Sequence, residues 1–284
     1  MIQKLGIVGC GQMGGGIAQV AAQAGLKVIV HELTDDLWRK GFTRIEKNID
    51  KAIEKGKADQ AFKSKTMSGL TGTSRLEDLA DCDLVVEAAV EDMAVKLDIF
   101  RKLDALCRPE TILATNTSSL PVGDLAAATK RRDRFCGLHF FNPVHMMKLC
   151  ELVRTLDTSE ATMAVARAFA ETCGKEVVLA KDRPGFIVNV LLIPYLLDAI
   201  RLLENGVATR EDIDKAMMLG CGHPMGPLTL NDFIGLDTML QIADIMFDEF
   251  KDRHYAAPPL LRRMVKAGYL GKKSGRGFFD YTKK

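Results

Sequence analysis

The 284-residue chain has almost no net charge, with 39 Lys and Arg set against 37 Asp and Glu for a formal +2. It also lacks any long run of Lys and Arg interleaved with aromatics, so nucleic acid is not an expected partner. The basic residues between Lys47 and Lys65 are mixed with acids. That pattern suits a solvated helix face or a contact with a polyanionic ligand. No C-x-x-C pair occurs among the seven cysteines, Cys10, Cys82, Cys107, Cys136, Cys150, Cys173 and Cys221. The number is odd and most lie in apolar surroundings, so reduced, buried thiols of an intracellular protein are expected rather than a disulfide framework. Without clustered ligands, no metal site is expected. The most apolar segment, residues 186–203, contains Asn189, Pro194, Asp198 and Arg201, which argues against a membrane span. The start, Met1-Ile2-Gln3-Lys4-Leu5, carries no basic-then-apolar leader. A cytoplasmic location is expected, or the mitochondrial matrix if a transit peptide has been removed. There is no internal repeat and no low-complexity tract.

What is present is a core. Hydrophobic residues make up 47% of the chain and charged residues 27%, which predicts packed, ordered domains. Short apolar runs at residues 5–8, 27–31, 84–89, 111–115 and 137–141 predict buried strands. Helical patterns at 17–24, 34–57 and 94–106 alternate with them, which points to a mostly parallel sheet covered on both faces. After Val177-Val178-Leu179, Arg183-Pro184-Gly185 marks a boundary. Beyond it the pattern is helical, at 186–204, 209–219, 231–250 and 259–267. Thr209 and Asp212 are spaced like a capping box, and residues 271–277 form a Gly- and Lys-rich loop.

Gly9-Cys10-Gly11-Gln12-Met13-Gly14 follows the first strand and opens a helix. In a G-x-G-x-x-G turn the first glycine makes the tight bend, the second lets the backbone approach a pyrophosphate, and the third allows close helix–strand packing. The pyrophosphate would sit at the positive end of the helix. Glu32 ends the second strand, where a carboxylate accepts hydrogen bonds from an adenosine ribose and repels a 2′-phosphate, favouring NAD over NADP. The alternative is a structural βαβ turn with a surface glutamate. The resulting reading is an α/β Rossmann-type dinucleotide-binding domain, residues 1–184, followed by an all-α C-terminal domain, residues 185–284.

A hydroxyl, an imidazole and a carboxylate, those of Ser118, His139 and Glu151, lie in one otherwise apolar stretch. Oxidising an alcohol requires its hydroxyl proton to leave with the hydride, and histidine is the usual base. His139 stands at the end of a predicted strand, where an open parallel sheet presents its ligand crevice. Glu151 would orient the imidazole if the chain folds back between them. Singly, each residue has a plainer role: His139 beside Phe140 and Phe141 as a core residue, Asn116-Thr117-Ser118-Ser119 as a helix cap, and Glu151 as a solvated strand residue.

The segments GIVGCGQMGGGIAQVAAQAG, NTSSL, GLHFFNPV, MKLCEL, RPGFIVN, EDIDKAMMLG, HPMGPL, DFIGLD and GKKSGRGF resemble the short-chain L-3-hydroxyacyl-CoA dehydrogenases, a family that includes the 3-hydroxybutyryl-CoA dehydrogenases. The resemblance spans almost the whole chain, in order and spacing. It implies NAD-dependent oxidation of (S)-3-hydroxyacyl-CoA to 3-oxoacyl-CoA, or the reverse. His139 matches the base, Glu151 its carboxylate partner, and Ser118 and Asn189 the residues that bind the substrate oxygen. Glu91, Lys96 and Lys273 match coenzyme contacts. They join Gly9, Gly11, Gln12, Met13, Gly14, Glu32 and Asn116 in the expected coenzyme set. Lys55 matches a lysine near the CoA phosphates, with Lys51 and Asn48 beside it. A homodimer through the helical domain is implied, and a substrate site between the two domains. The chain departs from the family at Glu32, usually aspartate; at His145, commonly proline; and at Asn48, where serine is common. These changes bear on affinity and chain length more than on reaction type. The competing functions are a dehydrogenase of a free hydroxy acid or sugar acid, and a non-catalytic coenzyme-binding relative.

Overall fold

The computed structural model describes residues 2–282. By its internal packing the chain divides into two compact units, Met1–Arg183 and Pro184–Lys284.

The first unit is built on an eight-stranded sheet. Its elements run β1 (Lys4–Val8), α1 (Gln12–Gln23), β2 (Lys27–His31), α2 (Asp35–Glu54), α3 (Gln60–Ser68), β3 (Leu70–Thr73), β4 (Leu84–Glu87), α4 (Met93–Leu106), β5 (Ile112–Thr115), α5 (Val122–Ala127), β6 (Phe135–Phe140), β7 (Leu149–Arg154), α6 (Glu160–Thr172) and β8 (Glu176–Lys181). The strand order is β3-β2-β1-β4-β5-β6-β7-β8. The order reverses beside β1, which pairs with β2 on one side and β4 on the other. Such a switch point opens a ligand crevice at the strands' carboxyl ends. There Val8 lies opposite both His31 and Glu87, and Glu87 opposite Thr115.

The strands are apolar because helices cover both faces. Leu5, Ile7, Leu84, Val85 and Val86 are fully buried. Each such side chain contributes about 1.5–3 kcal/mol relative to exposure. The helix α2 buries only Gly41, Ile45 and Ile49, one stripe at four-residue spacing. Helix α1 starts at Gln12, inside the glycine turn and five residues before the expected Ile17. Its glycines permit this: a Cβ on Gly14 would lie 1.9 Å from the Gly9 carbonyl oxygen.

One pairing differs from the rest of the sheet. β6 and β7 are antiparallel, and β7 then pairs in parallel with β8. The strand β7 and the helices α3, α5 and α6 were not evident from the sequence pattern.

The second unit comprises α7 (Val188–Glu204), α8 (Arg210–Cys221), α9 (Pro227–Ile234), α10 (Leu236–Phe250) and α11 (Pro259–Lys266). Thr209 caps α8 as its spacing predicts, accepting from the Asp212 N–H at 3.1 Å. The single helix expected over 231–250 is two, α9 and α10, parted at Gly235 with φ +99. Asp214 of α8 accepts from the Leu228 and Thr229 N–H groups at 2.7 and 2.9 Å and so caps α9 from outside. Among the described residues no helix is long and apolar enough to cross a membrane.

Candidate active site

The turn after β1 has the shape a dinucleotide needs. Gly9 has φ +97, and a Cβ there would press to 2.6 Å from the Ala88 carbonyl oxygen. A Cβ on Gly11 would meet nothing within 4 Å, leaving the side from which a pyrophosphate approaches open. Gly11 is the N-cap of α1 and makes no side-chain cap bond, so the first N–H groups of the helix remain donors for an anion. Gln12 and Met13 form the first helical residues. Glu32, one residue past β2, is held in place: Oε1 accepts from the Cys10 N–H at 2.6 Å and Oε2 from the Leu33 N–H at 3.2 Å. These residues fit an adenine dinucleotide.

A carboxylate–lysine network lies at the ends of β4 and β5. Glu91 Oε1 accepts from the Thr117 hydroxyl at 2.5 Å, from the Ser118 and Ser119 N–H groups at 3.1 and 3.3 Å, and from the Ser119 hydroxyl at 3.1 Å. Lys96 on α4 is 1% exposed. Its Nζ lies 2.6 Å from Glu87 Oε1 and 3.3 Å from Glu91 Oε2. Glu87 accepts further from the Ala89 N–H at 2.7 Å and the Thr115 hydroxyl at 2.8 Å. Lys96 thus sits beneath Glu91, between two carboxylates. Burial acts to raise the Glu91 pKa, but the Lys96 charge and the bonds from Thr117 and Ser118 outweigh it and hold the carboxyl below its ordinary range.

This network also explains residues 116–119. They do not cap a helix, since the first N–H groups of α5, on Val122 and Gly123, are taken by Asp182 at 2.8 and 2.6 Å. Asn116 Oδ1 instead accepts from the Phe140 N–H at 3.0 Å, tying the end of β5 to the strand that carries His139.

The antiparallel turn-back between β6 and β7 creates the central pair. His139 and Glu151 are direct cross-strand partners, so both side chains leave the same face of the sheet. His139 Nδ1 lies 2.6 Å from Glu151 Oε2. Glu151 is fully buried and His139 is 6% exposed, so neither is the solvated strand residue that Glu151 alone suggested. The Phe141 ring packs at 4.5 Å on the imidazole.

The other expected site residues lie on several elements. Asn48 Nδ2 donates to Gln19 Oε1 at 3.3 Å and links α2 to α1. Lys51 and Lys55 are exposed at the carboxyl end of α2, where cations also complement the helix dipole. His145 is exposed in the loop between β6 and β7, and burial, then the Lys175 charge, lower its pKa. In the second unit, Asn189 is buried in the first turn of α7, and Lys273 Nζ lies 2.6 Å from Asp237. Sequence reasoning missed Glu87 and Lys175. The latter is 7% exposed and donates to the Val144 and Met147 carbonyls at 2.5 and 2.9 Å, which holds the β6–β7 loop. No local pattern marks either residue.

Residues 4–183 match the family model described as 3-hydroxyacyl-CoA dehydrogenase, NAD binding domain. Residues 185–281 match its companion, 3-hydroxyacyl-CoA dehydrogenase, C-terminal domain. The chain belongs to the 3-hydroxyacyl-CoA dehydrogenase family. Within it, a 3-hydroxybutyryl-CoA dehydrogenase of Mycobacterium tuberculosis is 55% identical over 282 residues, covering 99% of each chain. One from Clostridioides difficile is 45% identical over 280 residues, 99% of this chain and all of the relative. Among solved structures, M. tuberculosis FadB2 superposes with a TM-score of 0.97 at 54% identity, covering 99% of both chains. The (S)-3-hydroxybutyryl-CoA dehydrogenase PaaH1 of Ralstonia eutropha gives 0.95 at 43% identity over the whole of both. The sheet of the first unit is therefore the nicotinamide dinucleotide-binding domain of this family.

Proposed function

We propose that the protein is an NAD-dependent (S)-3-hydroxyacyl-CoA dehydrogenase of short acyl chains, interconverting 3-hydroxybutyryl-CoA and acetoacetyl-CoA. The observation that carries this is the buried His139–Glu151 pair at the carboxyl end of the dinucleotide-binding sheet. With Nδ1–H donated to the Glu151 carboxylate, the second nitrogen, Nε2, keeps its lone pair for a substrate proton. Glu151 then offsets the charge that the imidazole gains. The base takes the C3 hydroxyl proton in oxidation and returns it in reduction. Bound NAD+ supplies the hydride acceptor. Ser118 and Asn189 fix the C3 oxygen, a role for polar groups that are already oriented before reaction.

Glu32 supports NAD over NADP, because a carboxylate just past β2 would accept from ribose hydroxyls and oppose a 2′-phosphate. Residues 1–184 take the coenzyme and residues 185–284 supply substrate contacts and a homodimer interface. Gly9, Gly11, Gln12, Met13, Gly14, Glu91, Lys96, Asn116 and Lys273 complete the coenzyme set. In it Lys96 acts through Glu91, because its ammonium is enclosed between carboxylates. Asn48, Lys51 and Lys55 serve the CoA phosphates. The relatives' names, 3-hydroxybutyryl-CoA dehydrogenases of full-length similarity, support the acyl-CoA substrate.

Reduction of acetoacetyl-CoA by NADH tests this. His139→Ala is expected to lower kcat by about 10²–10⁴-fold with NADH binding retained. Near-normal turnover in that variant would sink the assignment. Activity on free acetoacetate equal to that on its CoA ester would favour a free-acid dehydrogenase instead.

A further inference from the structure

The first half of helix α2 packs on one residue of the glycine turn. Three of its positions, one turn apart, meet Cys10. The Trp38 carbonyl oxygen lies 4.0 Å from the Cys10 sulfur. Gly41 packs so closely that a Cβ would come within 2.1 Å of that sulfur and 2.9 Å of the Cys10 carbonyl oxygen. Arg44 Nη2 then donates to the same carbonyl at 3.4 Å. On the other side of the residue, the Cys10 N–H is held by Glu32. One residue of the fingerprint thus has a carboxylate at its N–H and a guanidinium at its carbonyl oxygen. The thiol registers both charges: burial and then Glu32 push its pKa up to about 12, and Arg44 pulls against them. Arg44 is exposed, and among the described residues no carboxylate lies within ion-pair distance of it.

A glutamate at the end of β2 sets the chain against a 2′-phosphate. A guanidinium held beside the same turn acts in the opposite sense, because its planar fork matches phosphate oxygens. We propose that Arg44 is a second determinant of coenzyme choice: it gives the adenosine end of the site a cation for a 2′-phosphate, so that NADPH is a working, second-rank coenzyme beside NADH. The inference rests on the dinucleotide reading of the glycine turn. It deepens that reading by making selectivity the balance of two opposed charges rather than the veto of one. The Gly41 contact is what fixes Arg44 there, since any side chain at 41 would lift α2 away from Cys10.

Two probes separate the charges without the nicotinamide half: ADP, and adenosine 2′,5′-bisphosphate, which carries its second phosphate on the 2′-oxygen instead of the 5′ chain. Calorimetric titration of the full chain should show binding of both. Arg44→Ala should weaken the bisphosphate about tenfold more than ADP, and Arg44→Lys should restore part of that difference. Glu32→Gln should shift the ratio the other way. In turnover, NADPH should support reduction of acetoacetyl-CoA less efficiently than NADH, and Arg44→Ala should widen the gap in kcat/KM by a similar factor. An unchanged ratio of the two ligands in Arg44→Ala would overturn the inference. So would a wild-type chain that binds ADP but not the bisphosphate, with the dinucleotide reading left intact. Failure to bind ADP at all would overturn that reading as well.

Discussion

Single side chains carry this site, and its carboxylates are held by hydrogen bonds before any ligand arrives. Glu151 is the clearest case, buried beneath the imidazole it faces. Glu151→Gln keeps the shape but loses the charge that supports an imidazolium, so kcat should fall about 10²-fold with KM little altered. Glu151→Ala should cost more, and should also lower stability by about 1–3 kcal/mol by leaving the ring N–H unpaired. Steady-state kinetics and chemical denaturation of the two variants check this. Glu91 gives a pH prediction. Its carboxyl is held below the ordinary value of 4.5, so its contribution to stability is complete above that pH and disappears as the pH falls through the lower, folded-state value. Protection from hydrogen exchange at the Ser118 and Ser119 amides, both bound to Glu91, taken relative to their intrinsic rates, should therefore persist down to about pH 4.5 and be lost only below it. Protection already lost above that pH, in an otherwise folded chain, would contradict the network.

Elements place these side chains, and the glycines of the β1–α1 turn show how. Gly14 and Gly11 make opposite predictions from the same motif. A methyl on Gly14 strikes the Gly9 carbonyl, so Gly14→Ala should cost about 3 kcal/mol or more of stability in a denaturant titration. Gly11 has φ −66 and open space around it, so Gly11→Ala should hold stability within about 1 kcal/mol yet weaken dinucleotide binding. The sequence motif names both glycines without separating these roles; the distances do. Legibility elsewhere followed the same division between local and distant causes. The apolar runs of β1, β2 and β4 and the cap at Thr209 are local, and were readable. The turn-back of β7 is set by its pairing with β6, and the Glu87–Lys96 pair joins a strand to the next helix, so neither leaves a local trace. Gly235 was readable in principle: an isolated glycine within an apolar periodic run is a signal for a helix break, and its φ of +99 is where the break occurs.

At the scale of the whole molecule, the seven cysteines are distributed as a reduced protein's would be. Six are buried and Cys221, at the end of α8, is exposed. Burial raises Cys10, Cys82, Cys136 and Cys173 to about 12 and Cys107 to about 11, and raises Cys150 as well. Titration of the native protein with a disulfide reagent near neutral pH should release about one fast equivalent per chain, and the remainder only on unfolding. A second fast thiol would show that one of the buried sites opens. The family match over residues 4–183 and 185–281 is what joins the two units into one functional account.

The antiparallel turn between β6 and β7 has one further consequence, for how such a protein can change. The opposition of His139 to Glu151 is set by the ladder that also pairs Gly137 with Val153, Leu138 with Leu152 and Phe140 with Cys150. The eight residues from Phe141 to Lys148 lie outside that ladder. Among them His145, Met146 and Met147 are exposed and can be exchanged while the proton-handling pair stays in place, whereas Phe141 packs on the imidazole and Val144 is buried. Within the strands there is no such freedom, for a one-residue deletion in β7 would turn the carboxylate to the opposite face. The exposed positions of the loop are the part of this molecule that variation can explore, and the ladder is the part that it must leave alone.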